Sequence, residues 1–370
     1  MLSDIAINVM GIIMEKVYDL HAHYTFNLSL KETTEIFKEE FEATNTEKCC
    51  FLSIPYKLSK RDIELDDMQN IKALYLKMAF SPNGYAFAGL EYRYEDETVL
   101  ADDLLRQAKE YFSVGYDGMK MLEGYPSMLK ARKIPLDHKI YDKYYGFMEE
   151  KGYPIIMHMA NPKENWDIES ASKEAIALGR VYDSSYPTKE EITSQVFSVM
   201  EKFPKLKLIL AHFGFFSYDI EEAERFLSYE NTCFDVTPGG EQFINMSKEW
   251  DKWLKFWVKH QDRIFYGTDF YAFPKDENWE IAFNRRPKFL HQLLETNQTH
   301  VYLDEEFKGV LLDKELRDKI YRKNFLKLLG EPSSIDREYV LNRAEFLLKE
   351  KKHKSAFAQE DLQLILKDFK

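Results

Sequence analysis

The chain has 370 residues and a formal net charge of −12, from 63 acidic against 51 basic side chains. That balance disfavours a broad phosphate-binding face, and with it a nucleic-acid partner. Hydrophobic residues at 45% and aromatics at 15% exclude a disordered chain, and no uninterrupted apolar stretch nears the roughly 20 residues that span a bilayer.

The opening stretch "MLSDIAINVMGIIMEK" lacks a positively charged start, carries Asp4 and Asn8 inside its apolar run and shows no small-residue cleavage site. It reads as the start of a cytoplasmic protein. Residues 1–13 are either a short extra strand or a segment ahead of a start at Met14. Eight short apolar runs then follow as predicted strands: 16–23, 48–56, 85–93, 116–122, 153–160, 206–214, 231–237 and 263–270. Amphipathic stretches alternate with them, and two of these end near Gly115 and Gly152, as helices with a left-handed C-terminal residue do. Cys49, Cys50 and Cys233 fall within predicted strands as small hydrophobes, and an odd count makes a poor disulfide framework.

Strands alternating with helices imply parallel pairing through crossovers. Eight of them fit a (β/α)₈ barrel of the TIM type. An open doubly wound sheet is the other arrangement, but no glycine-rich phosphate loop follows the first strand. The expected organisation is a barrel over residues 1–330 with a lid-like insertion near 159–187 and a C-terminal helical extension over 331–370. The run "KEKKHK" in that extension reads as a solvated helix end.

Active-site groups of such a barrel stand at the C-terminal ends of its strands. His21 and His23 end the first strand, Lys120 the fourth, His158 the fifth, His212 the sixth and Asp269 the eighth. Residues i and i+2 of a strand share a face, so both imidazoles of His21-x-His23 can reach one ion. With His158 they supply three neutral donors, and Asp269 supplies charge, a set suited to one catalytic zinc with a position open for water. Manganese and iron fit the same ligand types. Asp269 is then the proton shuttle, and His212 is free to hydrogen-bond a developing oxyanion. Taken singly, each residue has a plainer reading: His158 and His212 as core histidines, Asp269 as a helix cap. Lys120 is structural, anion-binding, or carbamylated between two metals. His138, His260, His291, His300 and His353 lie in predicted helices or loops and carry no such signal.

At "YDLHAH", "GYDGMKML", "YPIIMHM", "KLILAHFG" and "RIFYGTDF" the sequence resembles the amidohydrolase superfamily, in its amidohydrolase-related branch of metal-dependent TIM-barrel hydrolases. "IYRKNFLKLLG" is similar to that branch's closing helix, and the resemblance covers roughly residues 16–330. It implies that His21, His23, His158 and Asp269 are the ligands of a single metal. It also implies that His212 is catalytic, or a second-metal ligand in binuclear relatives, and that Lys120 lies on the strand that carries a carbamylated lysine there. Many relatives place a histidine two residues after that lysine, where this chain has Leu122. The branch also contains decarboxylases of aromatic or dienoic acids built on nearly the same ligands.

The expected function is hydrolysis of an amide, lactone or related bond of a small molecule, with metal-dependent decarboxylation as the alternative. Arg93 and Arg180 are candidate anchors for a substrate carboxylate, and Trp166 in the insertion is a candidate cover for the site. A non-catalytic binding protein on the same barrel is the contrasting class. Homodimerisation is plausible for this branch.

Overall fold

The structure, a computed structural model, describes residues 15–58, 63–238, 242–273, 279–302, 305–350 and 356–370. The alternative readings of residues 1–13 and most of the "KEKKHK" run, with His353, lie outside the described residues. Nine strand pieces form one parallel sheet: β1 (Val17–Tyr24), β2 (Thr46–Leu52), β3 (Gly84–Gly89), β4 (Gly118–Gly124), β5 (Ile155–Met159), β6 (Leu208–Leu210), β7 (Thr232–Asp235), β8 (Ile264–Phe265) and β9 (Phe270–Ala272). Their order is β8-β7-β6-β5-β4-β3-β2-β1-β9.

The predicted eighth strand, 263–270, is divided: β8 lies near its start, and β9 begins at its last residue, Phe270, and runs two residues beyond it. β8 pairs with β7 and β9 with β1, so one stretch of chain borders both edges of the sheet. In the same region, the Leu20 amide donates to the Tyr266 carbonyl at 3.1 Å, and the Val236 amide donates to the Phe265 carbonyl at 2.9 Å. These bonds shut the sheet into a TIM barrel, and closure removes the sheet edges that an open arrangement would expose.

The helices of the outer layer have local causes. Ser29 and Glu32 form a reciprocal capping box ahead of the helix Leu30–Thr44. Asp96 caps Glu97–Val114, which ends on Gly115 at φ 112°, and Asp142–Lys151 ends on Gly152 at φ 65°. The closing helix runs from Lys314 to Leu329 with a π-helical middle, Lys319–Lys323. Its Asn324 donates to the carbonyls of Gln261 and Ile264 at 2.7 Å, tying the helix to the start of β8. Beyond it, helices Arg337–Glu350 and Ala358–Asp368 pack on the barrel through Val340, Ala344, Leu362 and Ile365, all fully buried.

Inside the barrel, Leu20, Leu52, Phe87, Ile156, Ile209 and Phe265 belong to one apolar cluster, with Phe325 of the closing helix beneath it. Strand alternation then points the residue two positions later, towards the C-terminal end, into the same interior. Thus Ile156 is followed by His158, and Cys233 by Asp235. On β1 the pairing register shifts between Asp19 and Ala22. Such an irregularity resets the alternation, so that Leu20 and the adjacent His21 both face inward.

Several predicted strands are shorter than expected. The run 206–214 is a strand only over Leu208–Leu210, because His212, Phe213, Gly214 and Phe215 all take left-handed conformations with φ between 51° and 60°. The run 85–93 stops at Gly89, and 48–56 at Leu52. His300, expected in a helix or loop, lies in a two-stranded antiparallel pair, Thr299–Tyr302 with Glu305–Lys308.

Candidate functional site

Three strand ends carry left-handed non-glycine residues: Ala160 after β5 (φ 56°), His212 after β6 (φ 56°) and Asp269 between β8 and β9 (φ 51°). Each costs roughly 1–2 kcal/mol for an L-residue, and each is fastened by hydrogen bonds. The Ala160 amide donates to the Gly124 carbonyl at 2.9 Å and the Asp269 amide to the His21 carbonyl at 2.7 Å. The His212 amide donates to Asp235 Oδ1 at 2.8 Å. The strain concentrates at the mouth of the barrel, where it turns side chains inward.

His21, His23 and Asp269 converge there, with one ligand atom of each within 4.8 Å of the others. The Nε2 atoms of the two histidines stand 3.0 Å apart, and Asp269 Oδ1 lies 3.6 Å from His21 Nε2 and 3.4 Å from His23 Nε2. All three residues are buried. Gly267 passes so close that a Cβ on it would sit 3.1 Å from that of His21, which explains a glycine in "YGTDF".

The other ring nitrogens fix the tautomers. Asp235 Oδ1 already accepts the amides of His212 and Thr237, and its Oδ2 accepts from His21 Nδ1 at 2.8 Å. His23 Nδ1 donates to the Leu52 carbonyl at 2.9 Å. Burial pushes both imidazoles well below the usual histidine range, helped for His21 by Lys120 and for His23 by His21. Both rings are therefore neutral with the proton on Nδ1, and two Nε2 lone pairs face each other. Lone pairs held together beside a carboxylate are the donor set a cation completes.

Lys120 Nζ lies 3.0 Å from His21 Nε2, and burial lowers its pKa to about 8 despite the acids nearby. His158 and His212 stand beside each other with ring centroids 4.9 Å apart, and His212 is 5.6 Å from His21. His158 Nε2 lies 2.9 Å from the Ala160 carbonyl and 3.3 Å from Asn161 Oδ1. Burial, then Lys120, lowers its pKa to about 3. Nδ1 of His212 is buried with no hydrogen-bond partner among the described residues.

Sequence reasoning missed three groups. Asp235 ends β7, one of the strands for which no strand-end group had been named, and its position two residues after inward-facing Cys233 was the available signal. Arg286, from the helix Trp279–Glu295, ion-pairs with the Asp269 carboxylate and also donates to its carbonyl. Burial pushes the Asp269 carboxyl up, but Arg286, His21, His23 and Lys120 together hold it below the ordinary carboxylate range. Asp19 accepts from the His21 and Thr268 amides and, at 2.5 Å, from Thr268 Oγ1; burial, partly offset by these bonds, raises its pKa to about 7.

The three other candidates stand apart from this cluster in different ways. Arg93 ion-pairs with buried Glu91 and, with Arg106, Tyr339 and Arg343, borders a separate polar cavity of about 140 Å³. Trp166 donates through Nε1 to the Pro187 carbonyl at 3.0 Å and lines an open groove of about 460 Å³ with Lys163, Thr188 and Tyr218. Arg180 is exposed on the segment that follows β5.

A family model described as Amidohydrolase matches residues 67–330, well over half of the chain. The chain belongs to the amidohydrolase family. The amidohydrolases are metal-dependent enzymes, so the protein is an enzyme, and its His21, His23 and Asp269 fit a divalent cation. Among curated proteins no sequence matches it. Among solved structures it is similar to an uncharacterized TIM-barrel protein, Bb4693, from Bordetella bronchiseptica, at 14% identity and a TM-score of 0.51, covering 85% of this chain and 99% of that one. It is also similar to a 2,6-dihydroxybenzoate decarboxylase complexed with 2,6-dihydroxybenzoate, at 16% identity and a TM-score of 0.50, with the same coverage of both chains. At these identities the likeness concerns the fold. Among the described residues no helix is long and apolar enough to cross a membrane.

Proposed function

We propose that this amidohydrolase hydrolyses an amide, lactone or related C–N or C–O bond of a small molecule, using one divalent cation. The observation that carries this reading is the pair of neutral Nε2 lone pairs of His21 and His23, 3.0 Å apart and beside Asp269. His21, His23, His158 and Asp269 would hold the ion, zinc first, with manganese or iron as alternatives. When bound, the cation supplies Lewis acidity towards a substrate oxygen and acidifies water.

The chain's own groups do the rest. The Asp269 carboxylate accepts the proton of the attacking water and returns it to the leaving group. His212, neutral because burial and the neighbouring His158 and His21 lower its pKa, donates a hydrogen bond where negative charge develops on the substrate. Lys120 either steadies His21 as an ammonium or, if carbamylated, would help His212 hold a second ion. The segment 159–187 covers the site as a lid, residues 331–370 serve as a helical extension packed on the barrel, and the protein works in the cytoplasm on a small molecule, as a homodimer if it associates.

A second reading, decarboxylation, is favoured by one observation: the Arg286 ion pair weakens Asp269 as a base, which burdens hydrolysis more than a reaction in which no water attacks. Turnover of candidate substrates in ¹⁸O-labelled water decides between them. Hydrolysis incorporates the label into product without CO₂ release; CO₂ release without incorporation refutes hydrolysis.

A further inference from the structure

Tyr339 and Arg343, on the helix Arg337–Glu350 of the C-terminal extension, close the polar cavity of about 140 Å³ against Asn70, Glu91, Arg93 and Glu110 of the barrel. On the order of 10–15 Å³ suffices for one water, so the space admits a small polyatomic ion. The family match ends at residue 330, so the wall that Tyr339 and Arg343 supply lies outside the matched region.

The acceptors of this wall are already occupied by its own donors. Glu91 Oε1 accepts from Asn70 Nδ2 at 2.8 Å, and Oε2 accepts from Arg93 Nε at 3.0 Å. Glu110 accepts from the Tyr339 hydroxyl at 2.9 Å and from Arg106 Nη1 at 2.7 Å. Asp67, the third carboxylate on the wall, is not free either. Donors are left over. The Arg343 guanidinium lies 5.5 Å from the Phe346 ring and has no hydrogen-bond or ion-pair partner among the described residues. Its charge acts on Tyr111 and Tyr339, which border the same space. Arg93 binds Glu91 through Nε and Nη2, which leaves Nη1 over.

We propose that this cavity binds an oxyanion the size of phosphate between Arg343 and Arg93, and that the bound ion fastens the extension to the barrel. A guanidinium presents a planar fork of N–H donors that matches phosphate oxygens. An ion held by both walls binds only the docked arrangement and stabilises it by mass action. Free phosphate and the phosphate group of an ester offer the same acceptor oxygens.

The test is calorimetric titration of the full-length protein with inorganic phosphate at constant ionic strength, in wild type, Arg343→Met and Arg343→Lys. Wild type is expected to bind with a Kd of about 1 mM or tighter. Arg343→Met weakens that binding by about tenfold or more, and Arg343→Lys retains part of it. Phosphate also slows amide hydrogen exchange over Arg337–Glu350 in wild type and not in Arg343→Met. Any phosphate held at the strand-end cluster is common to both proteins and cancels in the comparison. Glycerol phosphate identifies the source: free phosphate binding more tightly assigns the site to the ion, and the reverse order assigns it to an ester. Equal affinity in wild type and Arg343→Met overturns the proposal, as does absence of binding, or binding that leaves exchange over Arg337–Glu350 unchanged.

Discussion

Asp235 and His21 are joined by a 2.8 Å contact between carboxylate and Nδ1, and that contact sets which nitrogen of His21 is left to bind. Were the proton on Nε2 instead, His21 would present an N–H to the site and repel a cation. Asp235→Asn keeps an acceptor for the His212 amide but offers His21 a donor, which favours the wrong tautomer. Metal affinity is expected to fall by about 10–100-fold with the fold retained. Competition with a fluorescent chelator checks this, and unchanged affinity contradicts the role given to Asp235.

Lys120 supplies a test of nuclearity. As an ammonium 3.0 Å from His21 Nε2, it competes with a bound cation for the same lone pair and repels it. Lys120→Met is then expected to tighten binding of a single cation by about tenfold. If the lysine is instead a carbamate bridge, the same substitution lowers the metal content.

Arg286 controls the basicity of Asp269. Burial alone would raise the Asp269 carboxyl, and Arg286 is the first of the charges that bring it below the ordinary value. Activity that needs the carboxylate is lost as pH falls through its pKa. Arg286→Met should therefore move the acid limb of the kcat/KM profile to higher pH, by about one unit or more. An acid limb that stays in place would show that Asp269 is not the titrating group.

Glu40, on the helix Leu30–Thr44, is buried with neither carboxyl oxygen hydrogen-bonded among the described residues. Burial, with Asp19 nearby, raises its pKa well above 4.5. The folded state thus holds a proton that the unfolded state releases, and this contribution to stability is present below the unfolded pKa and lost as pH rises towards the folded one. Glu40→Gln is expected to stabilise the protein by about 1–3 kcal/mol at pH 8 and by little at pH 4. Urea unfolding at the two pH values measures the difference.

Asp361, in the last helix, joins two elements of the barrel. It ion-pairs with Lys72 at 2.6 Å, both side chains being almost fully buried, and it accepts the Leu30 amide at 2.7 Å. Asp361→Ala leaves a buried ammonium and an unsatisfied amide, at an expected cost of about 3–5 kcal/mol. Replacing Lys72 by Met as well should recover part of that loss, and urea midpoints of the single and double variants show whether it does.

The alternation of strand and helix was enough to predict the barrel, because buried parallel strands and amphipathic crossovers leave different periodicities. His21, His23, Lys120 and Asp269 were readable for the same reason: each polar group interrupts an apolar run at the end where barrel sites form. Arg286 was not, since it reaches Asp269 from a helix seventeen residues on, and nothing in "FNRRPKF" separates it from a surface arginine. The early end of β6 was equally hidden, because four left-handed residues in "HFGF" include only one glycine. That conformation is imposed by tertiary bonds such as the one from the His212 amide to Asp235, which local propensity does not encode.

The most direct test of the account is the metal content of the protein, purified without chelator or affinity metal and measured by plasma mass spectrometry. About one equivalent of divalent metal per chain is predicted, falling to near zero when His21 and His23 are both replaced by alanine. No metal in the wild type, persisting after zinc, manganese and iron are offered, would contradict it.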